Sequence, residues 1–283
     1  MRLLLHEWVF GAYLVLSWLF FSVRLGPLSP AALLFPCLLC IDAALIAACR
    51  RKPDARRWTL RLLFHPLAMN ACYLLMGPAV AAATPWMADD LLQRADLILV
   101  GGNLSLRIQP LIRPWLSDLM SLCYVLFLPY LAFSMIRHLA GDLRTAVRFF
   151  TGLFVLYGIG FLGYTFIPAL GPYLAMAGEF HVPLEGGWPS RLNAWVVGTG
   201  SNRVDVFPSL HCAGSGYLLL FDRKHKPWRY RLYLLPCAGL WLSTIYLRYH
   251  YFVDMLFGAA LAALCLRLAS SAEVPEHPNG RSS

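Results

Sequence analysis

Eight apolar runs, near residues 8–23, 29–49, 62–84, 117–136, 149–168, 208–222, 231–248 and 250–268, constrain this chain more than any other feature of it. A helix needs about 20 such residues to cross the hydrocarbon core of a bilayer. The expected fold is therefore all-α: a polytopic membrane helix bundle of about eight transmembrane helices, the sixth short and the last two nearly continuous. With 59% hydrophobic and only 14% charged residues, the chain is far from the balance of a soluble domain. The first run lacks a strong basic leader and a small-residue cleavage site, so it is expected to stay as a helix.

The formal charge of +9 does not point to a nucleic-acid partner, because the cations gather in short connections between runs. Arg50, Arg51, Lys52, Arg56, Arg57 and Arg61 form one cluster, Arg137, Arg144 and Arg148 a second, and Arg223, Lys224, Lys226, Arg229 and Arg231 a third. The positive-inside rule puts all three in the cytoplasm. Eight spans then leave both termini inside and the segments 85–116 and 169–207 outside.

Two stretches on that outer side carry chemistry: Asp205-Val206-Phe207-Pro208-Ser209-Leu210-His211-Cys212, and the segment from Ser243 and Thr244 to His250 and Asp254. His250 and Asp254 stand four apart, so a helix sets them on one face, where a carboxylate can hold an imidazole in one tautomer. Pro208 suits a helix start, and the freed N–H groups of Ser209, Leu210 and His211 make a cradle for an anion. An oriented histidine, a second histidine and a helix-end anion site together point to phosphoryl transfer through a phosphohistidine, with no metal or other cofactor required.

Pro-Ser-x-His, followed downstream by a Ser and then His-x-x-x-Asp, resembles the type 2 phosphatidic acid phosphatase superfamily. The spelling Ser-Leu-His-Cys at 209–212 and the Thr at 244 are similar to its inositol phosphorylceramide synthase (aureobasidin-resistance) branch, which is inositolphosphotransferase-like. The resemblance covers the second half of the chain, from near Tyr164 to Gly258. It implies His250 as nucleophile, Asp254 as its orienter, His211 as the acid that protonates the leaving oxygen, and Ser209 as a phosphate ligand. It also implies an Asp and a Gly in the 85–116 segment, here Asp96 and Gly101.

The chain departs from the superfamily where its first motif should stand. Tyr164-Thr165-Phe166-Ile167-Pro168 through Tyr173 keeps the proline-rich skeleton without the Lys and Arg, and Thr244 replaces the Arg that opens the third motif. Cations missing from a phosphoryl-transfer site must be offset by other donors. The three lysines, Lys52, Lys224 and Lys226, all map to the cytoplasmic side. Arg203, in the polar run leading into the cradle, and Arg248, two residues before the nucleophile, are the candidate phosphate clamps. Arg248 points to another helix face than His250, so pairing with lipid head groups stays open for it. Tyr164 and Tyr246 can add neutral hydrogen bonds.

The rest of the chain reads more plainly. Residues 1–61 are accessory helices, 62–268 a catalytic domain with a six-helix core, and 269–283 a disordered cytoplasmic tail. Asp42, acidic inside a span, is expected to find a partner such as Asn70. Residues 85–116 read as a helix lying in the outer interface, and 169–207 as a lid whose Glu179, His181, Glu185 and Trp188 can line an acceptor pocket. Cys37, Cys40 and Cys212 read as packing residues.

Taken together, the expected protein is an integral membrane enzyme, in a bacterial inner membrane with its site on the periplasmic face. It cleaves a lipid phosphate or phosphodiester at the outer leaflet and delivers the phosphoryl group to water, a lipid or a polyol. A metal-dependent hydrolase built on His211, His250 and Asp254 is the first alternative, and a lipid transporter or scaffold with a degenerate site the second.

Overall fold

The computed structural model describes residues 3–272, so the expected tail falls outside the described residues except where it closes the last helix. In chain order the elements are α1 (Leu5–Leu25), α2 (Pro30–Arg51), α3 (Ala55–Ala83), α4 (Asp89–Val100), α5 (Leu104–Arg107), α6 (Pro114–Val125), α7 (Phe127–Leu139), α8 (Leu143–Phe166), α9 (Pro172–Ala175), α10 (Trp188–Gly200), α11 (Leu210–His225), α12 (Pro227–Tyr246) and α13 (Phe252–Ser270). Among the described residues, β pairing is limited to an isolated parallel bridge between Ala169 and Asp205. The all-α polytopic bundle expected from the apolar runs is what forms.

Among the described residues, six helical spans meet the length and apolarity needed to cross a membrane, two fewer than the apolar runs: α1, α2, α3, the joined α6 and α7, α8 and α13. The reasons for the shortfall are local. Helix α11 has 16 residues, about 24 Å of rise, against a hydrocarbon core of about 30 Å. Helix α12 has the length but spends its first turns on Arg229 and Arg231. Within the Pro114–Leu139 span, Leu126 interrupts the helix; Pro129 brings no N–H to the Val125 carbonyl and crowds it.

Two arginines assigned to cytoplasmic connections are instead buried. Arg61 lies inside α3 and meets the Glu7 carboxylate of α1 through Nε at 2.5 Å and Nη2 at 2.7 Å, both side chains almost fully enclosed. Arg229 of α12 pairs with Asp222 of α11, beside His138 of α7. Each pair ties neighbouring helices together, because an uncompensated charge there would be strongly disfavoured. Asp42 does not pair with Asn70, whose side chain bonds the Pro66 carbonyl one turn back on α3; Asp42 Oδ1 has no hydrogen-bond partner.

Helix α8 is the central element, buried along most of its length and packed against α1, α3, α11 and α13. Connections at 52–54, 140–142 and 226 turn the chain at one end of the bundle. The C-terminal ends of α3, α8 and α12 and the N-terminal ends of α11 and α13 therefore gather at the other. Two glycines let the backbone close there. A Cβ on Gly163 of α8 would stand 2.5 Å from the Phe207 carbonyl oxygen, and one on Gly258 of α13 would stand 2.6 Å from that of Ser209.

Candidate active site

Both histidines reach this end by way of capping chemistry. Ser209 is the N-cap of α11, its hydroxyl accepting from the Cys212 N–H at 3.3 Å. Pro208 stands two places earlier than a helix-start proline would, joined to Phe207 by a cis peptide. The expected cradle is therefore smaller. The Ser209 N–H donates to the Asp254 carbonyl at 3.2 Å, which leaves the first-turn amides of Leu210 and His211 facing outward from the helix start.

His250 does not sit on the helix that carries Asp254. Tyr251 is the N-cap of α13, so His250 precedes it, and Asp254 is held by a capping box in which its Oδ2 accepts from the Tyr251 N–H at 2.8 Å. This brings Asp254 Oδ2 to 3.5 Å from His250 Nδ1. The backbone of His250 is fixed from the other side, its N–H donating to the Thr244 carbonyl at 3.1 Å where α12 ends. Asp96 of α4 completes the support, accepting from the amides of Phe252 and Val253, both at 2.9 Å. Burial pushes the Asp96 carboxyl up, against the pull of those two amides.

The His211 and His250 rings lie with centroids 6.0 Å apart, inclined at 58°. His211 stacks on Tyr124 of α6 with centroids 4.5 Å apart, and the Tyr124 hydroxyl lies 3.4 Å from its Nδ1. Burial pushes the His250 pKa down to about 4, with the Asp205 carboxylate and the Val206 backbone pulling it upward. A ring so shifted is neutral near pH 7, the form in which an imidazole can act as a nucleophile. Its Nδ1 and Asp254 Oδ1 are buried without hydrogen-bond partners, a pair able to tighten once the imidazole gains charge.

Both rings line a cavity of about 310 Å³ that runs inward between α3, α7 and α8 past Met69, Leu131 and Leu153. Leu210 and Tyr164 also line it. Other expected ligands are placed elsewhere. Ser209 is fully buried, with its hydroxyl on its own helix. Tyr246 bonds the Arg113 backbone and Ser117. Arg203 is exposed, with a φ of 60°. Arg248 takes a left-handed φ of 68° at the end of α12, stacks 4.1 Å above the Phe180 ring and donates to the Val182 carbonyl; burial lowers its pKa. Neither arginine lines the cavity, and among the described residues no lysine does.

The 169–207 segment contributes differently from expectation. It folds into short helices, and Val196, Val197 and Ser201 face the cavity where Glu179, His181, Glu185 and Trp188 do not. Asp205, Tyr73, Tyr124 and Tyr249 line the cavity without having been singled out. Only Asp205 had a sequence signal, as the acid that opens the first motif. Among the described residues no group of three or more His, Cys, Asp or Glu side chains is placed to hold a metal ion.

Residues 95–268, more than half of the chain, match the family model described as the PAP2 superfamily. This chain belongs to the PAP2 superfamily. Over 78 residues it is 39% identical to the inositol phosphorylceramide synthase catalytic subunit aur1 of Schizosaccharomyces pombe (strain 972 / ATCC 24843). That stretch is 27% of this chain and 18% of the relative, so the chain matches under a fifth of that protein's length. No solved structure matches the chain. The PAP2 match leaves out α1, α2 and α3 and contains both histidines, Asp254 and Asp96.

Proposed function

We propose that this PAP2 superfamily protein is a membrane lipid phosphotransferase or phosphatase that works through a phosphohistidine on His250. The carrying observation is the 6.0 Å separation of the two imidazoles across one cavity, with Asp254 beside His250. His250 attacks phosphorus through Nε2, the nitrogen turned away from Asp254. The P–O bond to the lipid alkoxide breaks and His211 supplies its proton. Asp254 stabilises the positive charge gained by His250. The acceptor hydroxyl, of water, a lipid or a polyol, then gives its proton to His211, takes the phosphoryl group and restores His250.

The amides of Leu210 and His211 serve the phosphate oxygens. The Ser209 hydroxyl, which accepts from Cys212, supports these amides by capping the start of α11. Residues 62–268 form the catalytic core and 1–61 an accessory pair of helices. With the basic connections in the cytoplasm, the cavity faces the extracytoplasmic side of the membrane.

Rapid quenching of the protein with radiolabelled phosphatidate tests this reading. An acid-labile, base-stable label that disappears in His250→Ala is the expected result. Undiminished turnover by His250→Ala would overturn it.

A further inference from the structure

The cavity that holds the two histidines has an unusual charge balance for a phosphate site. Among the described residues its lining contains six tyrosines and one carboxylate, Asp205, with no lysine or arginine. Asp205 is set in place by the Tyr73 hydroxyl, donating to Oδ2 at 2.5 Å, and the Ser201 hydroxyl, donating to Oδ1 at 2.8 Å. A carboxylate accepts about four hydrogen bonds, so each oxygen keeps room for a ligand donor. Among the described residues no basic side chain lies within ion-pair distance of it. A phosphodiester bound here alone would meet a like charge in a water-poor space.

We propose that the lipid donor carries a zwitterionic head group, whose ammonium sits against Asp205 and the tyrosine faces while its phosphorus lies between His250 and His211. This rests on the phosphotransfer reading and names its substrate class. The ammonium brings into the cavity a positive charge that no lysine or arginine of its lining provides. Aromatic faces attract such cations, and Tyr73, Tyr124, Tyr173 and Tyr249 surround the polar part of the cavity. A polyol head group would fill the lone pairs of Asp205 but leave the phosphate uncompensated. With His211 protonated, a phosphate, an ammonium and Asp205 sum to neutrality. The chemistry is unchanged: His250 bonds to phosphorus, the lipid alkoxide leaves with the His211 proton, and the phosphohistidine retains the amine head group until an acceptor hydroxyl takes it.

The test uses the full-length protein in nanodiscs. Phosphatidylethanolamine, phosphatidylcholine, phosphatidylinositol, phosphatidylglycerol or phosphatidate is supplied separately, each with diacylglycerol or ceramide as acceptor, and products are measured by mass spectrometry. The two zwitterionic lipids are expected to exceed phosphatidylinositol and phosphatidylglycerol at least tenfold in kcat/KM. In Asp205→Asn the ratio of phosphatidylethanolamine to phosphatidate turnover falls at least tenfold. Tyr73→Phe, which keeps the carboxylate and removes one bond that aims it, lowers the same ratio less and decides the matter if Asp205→Asn does not fold. Turnover that depends on His250 but favours phosphatidylinositol or phosphatidylglycerol, or an unchanged ratio in the variants, overturns the head-group assignment and leaves the phosphotransfer reading standing. Failure to turn over any of the five lipids overturns both.

Discussion

The backbone N–H of Ser209 donates to the carbonyl oxygen of Asp254 at 3.2 Å. The two motif segments are thus joined through their main chains, and the 6.0 Å spacing of His211 and His250 follows from that join. Gly258 makes the join sterically possible, since a Cβ there would overlap the Ser209 carbonyl oxygen.

Gly258→Ala is therefore expected to push α11 from α13. Overpacking of this kind costs about 1–3 kcal/mol, so thermal unfolding in detergent should shift downward and turnover should fall more than tenfold. Wild-type turnover in this variant would show that the spacing of the rings is set elsewhere.

Asp254→Asn separates the two uses of that carboxylate. The amide oxygen can still accept from Tyr251, so α13 keeps its cap, while the charge beside His250 is lost. A fall of about 10²-fold or more in kcat with an unchanged unfolding temperature is expected, within the range that acid–base positioning contributes. Equal losses of stability and activity would assign Asp254 to structure alone.

His211→Ala is expected to slow lipid substrates, whose alkoxide leaving groups are basic, far more than activated aryl phosphates, because an acid is needed only where the departing oxygen is basic. Steady-state rates on both substrate types read this directly. The same factor on both would remove His211 from its proton-donating role.

The free protein is expected to show an acid limb of kcat/KM near pH 4, the value to which burial brings His250. The sign is fixed by the need for a neutral nucleophile, which protonation below that pH removes. Stability moves in the same direction. The unfolded chain takes up this proton near 6.5 and the folded one only near 4, so folding weakens as pH drops through that window. A limb near 6.5 in a pH–rate profile of kcat/KM would contradict this burial.

Arg203→Ala and Arg248→Ala are expected to differ. Arg203 is exposed and away from the cavity, so its loss should leave kcat/KM within about threefold, as surface changes generally do. Arg248 anchors the 180–182 segment through Phe180 and Val182, and its loss should lower the unfolding temperature and raise KM. A tenfold or larger loss of kcat in Arg203→Ala would restore it as a phosphate clamp.

How far the sequence could be read depended on the range of the physics involved. Apolar runs report burial in lipid residue by residue, so the helical bundle was legible, and the spacing of the two histidine motifs pointed to one end of it. What failed was pairing at a distance. Arg61 looked like one more cytoplasmic cation because its partner, Glu7, lies 54 positions earlier. Asp254 was placed by helical periodicity, although a capping box delivers the same proximity with His250 outside the helix. Tyr124 gave no local sign of its stack on His211, since that contact exists only once α6 packs beside α11. Arg248 was matched to the nucleophile by neighbourhood in the chain, while the turn that ends α12 sends its side chain to Phe180.

The Glu7–Arg61 bond also fixes the amino-terminal hairpin to a wall of the cavity. Helix α1 offers lipid a carboxylate and α3 offers it a guanidinium, each costly to insert unescorted. Their mutual neutralisation holds the first hairpin to the third segment. Helix α1, outside the PAP2 match, is thereby tied to α3, the first helix that lines the cavity.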